Sequence, residues 1–338
     1  MAGPLAPSSR PRLVDSIPSV RHRVARRLLG IPAEEATFAR RGFTRTGPRA
    51  QAHLEAVGHA FLRGYHAALE RDDPWELAGG LAEVDRALVG FAFEGAAMAL
   101  ALLDGLTPWK RDRVAAFLAG PGAPHVYMVH VGVGWAMARL PWRRLAPPGP
   151  PLDPFLRWLA IDGYGFHEGY FHPARHVRHR APPSSRATPY TRRAFDQGLG
   201  RALWFADGAS PEHVGGTIGA FPPGRRPDLW SGVGLAAAYA GGTDATGLTA
   251  LRRAAGALGA HVAQGAAFAS KARQRAGNVT PHTELAVRIL CGVPAAAAAA
   301  ITDEALAGLR DEGDVPAYEV WRRRIRRRLV PGEVCDAG

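Results

Sequence analysis

The segment DGYGFHEGYF, residues 162–171, decides the fold. Its Gly163-Tyr164-Gly165 superficially fits a dinucleotide-binding fingerprint, but that fingerprint needs a preceding strand and a tight turn. Here the glycines follow FLRWLAI (155–161), which is in helical register. Asp153-Pro154 upstream supplies an N-cap and a first-turn proline. A helix that starts there passes through Gly165 about three turns later. Thr188-Pro189 stands in the same relation to Gly200.

The pattern recurs on both sides of this segment. A glycine or Gly-x-Gly followed by alanine-rich apolar sequence occurs in FLRGYHAAL at Gly64, FAFEGAAMAL at Gly95 and HVGVGWAMA at Gly134. It returns in DQGLGRALWF at Gly200, SGVGLAAAY at Gly234 and VAQGAAFASKA at Gly265. With Gly165 these are seven anchors, spaced 31, 39, 31, 35, 34 and 31 residues apart. Periods near 34 are typical of stacked helical units. Asp73-Pro74, Thr107-Pro108, Ser210-Pro211 and Thr280-Pro281 predict further helix starts. Pro/Gly-rich linkers such as 146–154 and 221–228 separate the units, and no alternating β-branched run is present.

The expected fold is therefore all-α. About seven helical units form a helical-repeat array, either solenoid-like or a closed α/α arrangement. Residues 51–292 make the repeat domain, 1–50 a basic N-terminal segment and 293–338 a C-terminal helical cap. A glycine inside a helix costs about 1 kcal/mol relative to alanine. Seven in one register imply either close helix packing or clearance for a ligand.

Of 338 residues, 47% are hydrophobic and 21% charged, which is globular composition. Two cysteines, Cys291 and Cys335, cannot build a disulfide framework or a cysteine zinc site, so a reducing cytoplasm is expected. The apolar run 87–103 carries Glu94 and is shorter than a membrane span, so it reads as a buried helix. The net charge of +12 is almost all arginine. No nucleic-acid motif accompanies it, so a solvated basic surface is expected and no specific nucleic acid. Val20, Val24 and Leu28, and again Trp321, Ile325 and Leu329, form apolar stripes among arginines. Each suits a cap on the array, an acidic partner or a peripheral contact with an anionic membrane.

The densest polar cluster holds Asp162, His167, Glu168, His172, His176 and His179. Glu168, His172 and His176 would share a helix face, but Pro173 breaks it, so no metal is expected. Asp162, His167, Glu168 and Asp196 are the candidate catalytic groups, for proton transfer or ligand orientation. Glu94, His130, Phe166, Tyr170, Gln197 and Lys271 are the candidate ligand-binding residues. They lie at or beside the anchors, where stacking would align them, and Lys271 and Arg275 could meet an anionic group. His261 stands in a similar position. The residues name no cofactor.

The strings GFAFEGAAMALALLDG (90–105), HVGVGWAMARL (130–140) and DGYGFHEGYF (162–171) resemble the UnbL-type conserved family of bacterial enediyne-antibiotic cassettes. DQGLGRALWF (196–205), LWSGVGLAAAYAGG (229–242) and FASKARQRAGN (268–278) resemble it too. The resemblance runs from about residue 20 to 330. It implies an actinobacterial protein that accompanies an iterative polyketide synthase and its thioesterase. The implied function is in enediyne core biosynthesis, on a linear polyketide-derived polyene. Trp135, Phe166, Tyr170, Trp204, Tyr239 and Phe268 would shape an apolar groove for that chain. The alternative is a non-catalytic adaptor that holds the synthase or a membrane protein of the cassette.

Overall fold

The computed structural model describes residues 20–107, 109–140, 152–183 and 187–329. Part of the predicted N-terminal segment, the linker 146–151 and Cys335 lie outside them. Sixteen α-helices occur among the described residues. They are α1 (Val20–Leu29), α2 (Phe38–Arg41), α3 (Pro48–Glu70), α4 (Pro74–Leu81), α5 (Val89–Leu106) and α6 (Arg113–Ala119). Then come α7 (Val126–Arg139), α8 (Arg157–Phe171), α9 (Pro189–Ala206), α10 (Pro211–Gly219) and α11 (Arg226–Ala240). The last are α12 (Ala245–Ala255), α13 (Gly259–Arg275), α14 (Pro281–Cys291), α15 (Ala295–Glu304) and α16 (Ala317–Arg328). The protein is all-α; among the described residues the one β feature is an isolated bridge between Glu312 and Val315.

The predicted starts hold where an Asp, Ser or Thr side chain can accept from backbone N–H groups of the first turn. Asp73, Thr188, Ser210 and Thr280 cap α4, α9, α10 and α14 in this way. Asp153 accepts from Phe155 N and Leu156 N in the turn that leads into α8. Thr107-Pro108, whose proline lies outside the described residues, is the exception. Residues 109–112 are not helical and α6 begins only at Arg113. The Thr107 hydroxyl closes α5, donating toward Leu103 O and Lys110 O, and its oxygen accepts from the Arg113 guanidinium rather than from a backbone N–H of a new first turn.

The seven anchor glycines lie in α3, α5, α7, α8, α9, α11 and α13, and each of these helices packs on the next in that order. Gly-x-Gly explains how. Two residues apart on a helix are about 200° apart around its axis, so the two glycines face opposite neighbours. In α8 a Cβ on Gly163 would collide with Val131 O of α7, and one on Gly165 with Phe195 O of α9. In α9 Gly198 meets Asp162 O of α8, and Gly200 meets Leu229 O of α11. The other anchors likewise abut a neighbouring helix backbone: Gly64 at Ala92, Gly95 at Phe61, Gly134 at Ala160, Gly234 at Val262 and Gly265 at Ser231. Close packing, not ligand clearance, occupies these positions.

The row also folds back on itself. Phe91 and Gly90 of α5 meet Tyr239 of α11, and Arg275 of α13 donates to Ala123 O just before α7. α5 is long and apolar enough to cross a membrane, yet it is largely buried between α3 and α7. A helix apolar on all sides belongs in an interior. The two basic stripes part company. Trp321, Ile325 and Leu329 of the C-terminal stripe are buried, with Trp321 stacked on Phe268. Val20, Val24 and Leu28 of α1 are exposed.

Candidate functional site

A chain of buried polar side chains crosses the helix row. Trp135 Nε1 donates to Glu94 Oε1 at 2.8 Å. Glu94 Oε2 lies 3.8 Å from the Arg201 guanidinium and accepts no hydrogen bond. Arg201 donates to Asp162 Oδ1 at 2.6 Å, and Gln197 Nε2 donates to Asp162 Oδ2 at 2.9 Å. Ser231 lies 3.3 Å from Gln197 Oε1 and donates to Gln264 Oε1 at 2.9 Å. Arg322 of α16 donates to the same Gln264 oxygen and pairs with Asp228 and Glu319.

The chain holds two charge clusters. Arg322 and Arg193 balance Asp228 and Glu319. Arg201 alone stands against two acids, Glu94 and Asp162, all three of them buried. Burying an unbalanced charge is costly. Burial, opposed by Arg201 and the Trp135 hydrogen bond but helped by Asp162, pushes the Glu94 carboxyl up to about 7.

Glu94 faces an apolar pocket of only about 40 Å³, a narrow space lined by aromatic rings. Its walls include Phe61, Phe91, Trp135, Phe166, Tyr170 and Phe205. A second apolar pocket, also of about 40 Å³, lies on the other side of the charges, lined by Met128, Val131, Leu235, Tyr239, Phe268 and Trp321. Arg201 lines the second pocket as Glu94 lines the first, so their contact is a polar bridge between two apolar spaces. Apolar pockets with a few convergent polar groups are the usual form of a small-molecule site.

The predicted cluster of Asp162, His167 and Glu168 is not one site. Asp162 faces Arg201 and Gln197, whereas Glu168 faces His167 at 3.3 Å and His176 at 3.1 Å. Residues five and six apart on a helix lie on different faces, which separates them. His176 is also held through Nδ1 by Ala181 O at 2.8 Å. Burial pushes the Glu168 carboxyl up, but the hydrogen bonds from His167 and His176 outweigh it and hold the carboxyl well below the usual range. Burial keeps His167 below the usual histidine range.

Other candidates disperse. Asp196 pairs with Arg225, away from both pockets, and burial raises it to about 6. His130 donates from Nδ1 to Val126 O at 2.7 Å, and burial lowers its pKa. Lys271 lines the second pocket and pairs with Asp303 at 2.6 Å, so a carboxylate of the protein already holds its charge. Phe166 and Tyr170 line the Glu94 pocket, and Gln197 belongs to the Asp162 network. His261 is part-buried, and burial, reinforced by Arg326 and Arg322, lowers it to about 4. Of the predicted groove aromatics, Trp135, Phe166 and Tyr170 line one pocket and Tyr239 and Phe268 the other. Trp204 is fully buried instead and donates to Gly241 O.

Residues 20–329 match a family described as a protein of unknown function, DUF1702. The chain belongs to that family. No curated protein and no solved structure matches it. In this DUF1702 member, sequence reasoning missed Arg201, although it stands directly after the Gly200 anchor. An arginine set within the apolar stretch 199–205 of α9 needs a buried partner, and that was the available signal. Arg322 is a second such residue: Glu319 stands three residues before it on α16, but Asp228 and Gln264 reach it from α11 and α13.

Proposed function

We propose that the two narrow interior pockets, of about 40 Å³ each in this structure, widen to bind a long, apolar, conjugated chain, and that the protein acts on it at Glu94. On this reading the ligand is a linear polyketide-derived polyene, and the step belongs to enediyne core formation beside the iterative synthase. The helical units are then repeats of one module, whose glycines draw the helices together around the ligand. Cytoplasmic placement accords with an insoluble chain being handed over from a synthase.

The observation that carries the reading is the Glu94 carboxyl, with an oxygen that accepts no hydrogen bond, in a pocket lined by aromatic rings. A carboxyl raised to about 7 can both give and take a proton near neutrality. Aromatic faces suit a conjugated chain, and Arg201 can stabilise negative charge that develops as a proton leaves carbon. Asp162 holds Arg201 in place.

The test has two parts. Purified protein titrated with a conjugated polyene fatty acid such as parinaric acid should quench tryptophan fluorescence saturably, and Phe166→Ala should weaken binding. In a producing strain, Glu94→Gln should bind the polyene but abolish enediyne formation. Absence of polyene binding, or full product titre from Glu94→Gln, would remove the reading. A non-catalytic adaptor would then lead. Its support is α1, where exposed Val20, Val24 and Leu28 sit among Arg21, Arg23, Arg26 and Arg27 as a docking face for the synthase or a membrane partner.

A further inference from the structure

We infer that His167, Glu168 and His172 form a binding site for one divalent transition-metal ion. The inference concerns a different set of side chains from the Glu94 pocket and does not require the organic ligand to be a polyene.

The three residues lie at the C-terminal end of α8. Each offers one ligand atom, and these atoms all lie within 4.8 Å of one another. Two bonds of about 2.1 Å to one ion span at most about 4.2 Å, and neighbouring ligands sit about 3.0–3.4 Å apart. His167 Nδ1 and Glu168 Oε1 are 3.3 Å apart, already at that edge length. Only His172 has to close in, and it is exposed and free to turn. Its ring lies 6.0 Å from the His167 ring.

The expectation of no metal rested on Pro173 breaking a face of Glu168, His172 and His176. The break does occur: α8 ends at Phe171, and a π-helical turn spans Ala174–Arg178. Its effect is to change the ligand set. His172 falls beside His167 at the mouth, while His176 passes behind Glu168 and holds the second carboxylate oxygen at 3.1 Å. His176 is in turn fixed by Ala181 O at 2.8 Å. An outer partner that orients a ligating carboxylate is a recurring part of metal sites.

Two imidazoles and one carboxylate favour zinc, iron, cobalt or nickel over calcium or magnesium, which prefer all-oxygen shells. Three protein ligands leave positions open to water or a small molecule. His167 and His172 line a cleft of about 470 Å³ that shares Ile31, Glu35 and Phe171 with the Glu94 pocket. The open positions therefore face a route toward that pocket.

The experiment uses untagged full-length protein stripped with a chelator and titrated with Co²⁺ by absorption and with Zn²⁺ by calorimetry. One ion per chain is expected, with cobalt d–d bands of a nitrogen/oxygen site. His172→Ala and Glu168→Gln should each abolish saturable binding, while His179→Ala and His213→Ala, exposed histidines outside the cluster, should leave it intact. Because His172 is exposed, its variant keeps the fold, as circular dichroism will verify. Binding well below one ion per chain, or binding that survives His172→Ala, overturns the site. Metal binding with no polyene binding would keep this site and remove only the proposed function.

Discussion

Trp135 donates its indole N–H to Glu94 Oε1 at 2.8 Å, and this joins α7 to α5 inside the aromatic pocket. Glu94 has its second oxygen 3.8 Å from Arg201, which is shared with Asp162. The carboxyl is therefore held, but not fully neutralised.

This has a pH signature. The folded chain keeps the Glu94 proton up to about 7, whereas the unfolded chain loses it near the ordinary 4.5. The folded state binds more protons between those values, so this group's contribution to stability falls as pH rises through that window and is constant above it. Glu94→Gln still accepts from Trp135 and has nothing to ionise. Its stability relative to wild type should rise across pH 4.5–7 by on the order of 3 kcal/mol. Urea denaturation at three pH values measures this; a pH-independent difference refutes it.

Asp162 tests the charge balance. It is one of the groups that raise Glu94, so Asp162→Asn should move the pH-dependent window downward. Asp162→Ala leaves a buried Arg201 without its 2.6 Å partner and should cost about 3–5 kcal/mol. The asparagine variant should cost less, because its amide oxygen still accepts from Arg201. Equal losses for the two variants would mean that the charge carries the whole effect, and a neutral Asp162→Asn would mean that the charge does not matter.

Close approach at the anchors predicts opposite outcomes for the same substitution. A Cβ at Gly200 would land on Leu229 O of α11, so Gly200→Ala should destabilise by about 1–3 kcal/mol. Gly216, within α10, has nothing within 4 Å of that position. Gly216→Ala should be stabilising, by up to about 1 kcal/mol. Thermal melts of the pair decide the matter, and a neutral Gly200→Ala would show the interface to be loose.

Arg322 should carry the docking of α16. It is fully buried and pairs with Asp228 and Glu319, so Arg322→Ala leaves both acids short of a cation. The expected cost is about 3–5 kcal/mol. Arg327, exposed on the same helix, should change stability by no more than about 0.5 kcal/mol when replaced by alanine. Limited proteolysis should release the C-terminal segment in the first variant and not in the second.

The helices, five of their capped starts and their anchors were legible in the sequence. These depend on local rules: an Asp, Ser or Thr before proline, an apolar run, a recurring glycine. The order of packing was not legible, because the opposite-facing glycines of Gly-x-Gly show their two neighbours only once the helices are placed. The failure at Thr107 was local too, because a hydroxyl can close one helix as readily as it opens another.

The site was legible only as a set of residue types. Asp162, His167 and Glu168 are close in sequence, yet the helix turns them to different neighbours, and the partners that define them come from α9 and from the turn after Pro173. Glu94 and Arg201 lie 107 residues apart in sequence and 3.8 Å apart in space. By itself the sequence determined an all-helical chain with small residues at regular intervals and a few charges inside apolar helices. Tertiary structure decided which charges meet, and through them which carboxyl keeps its proton. Pairing of buried charges depends on long-range distance and desolvation, and neither is encoded in the spacing of residues along one helix.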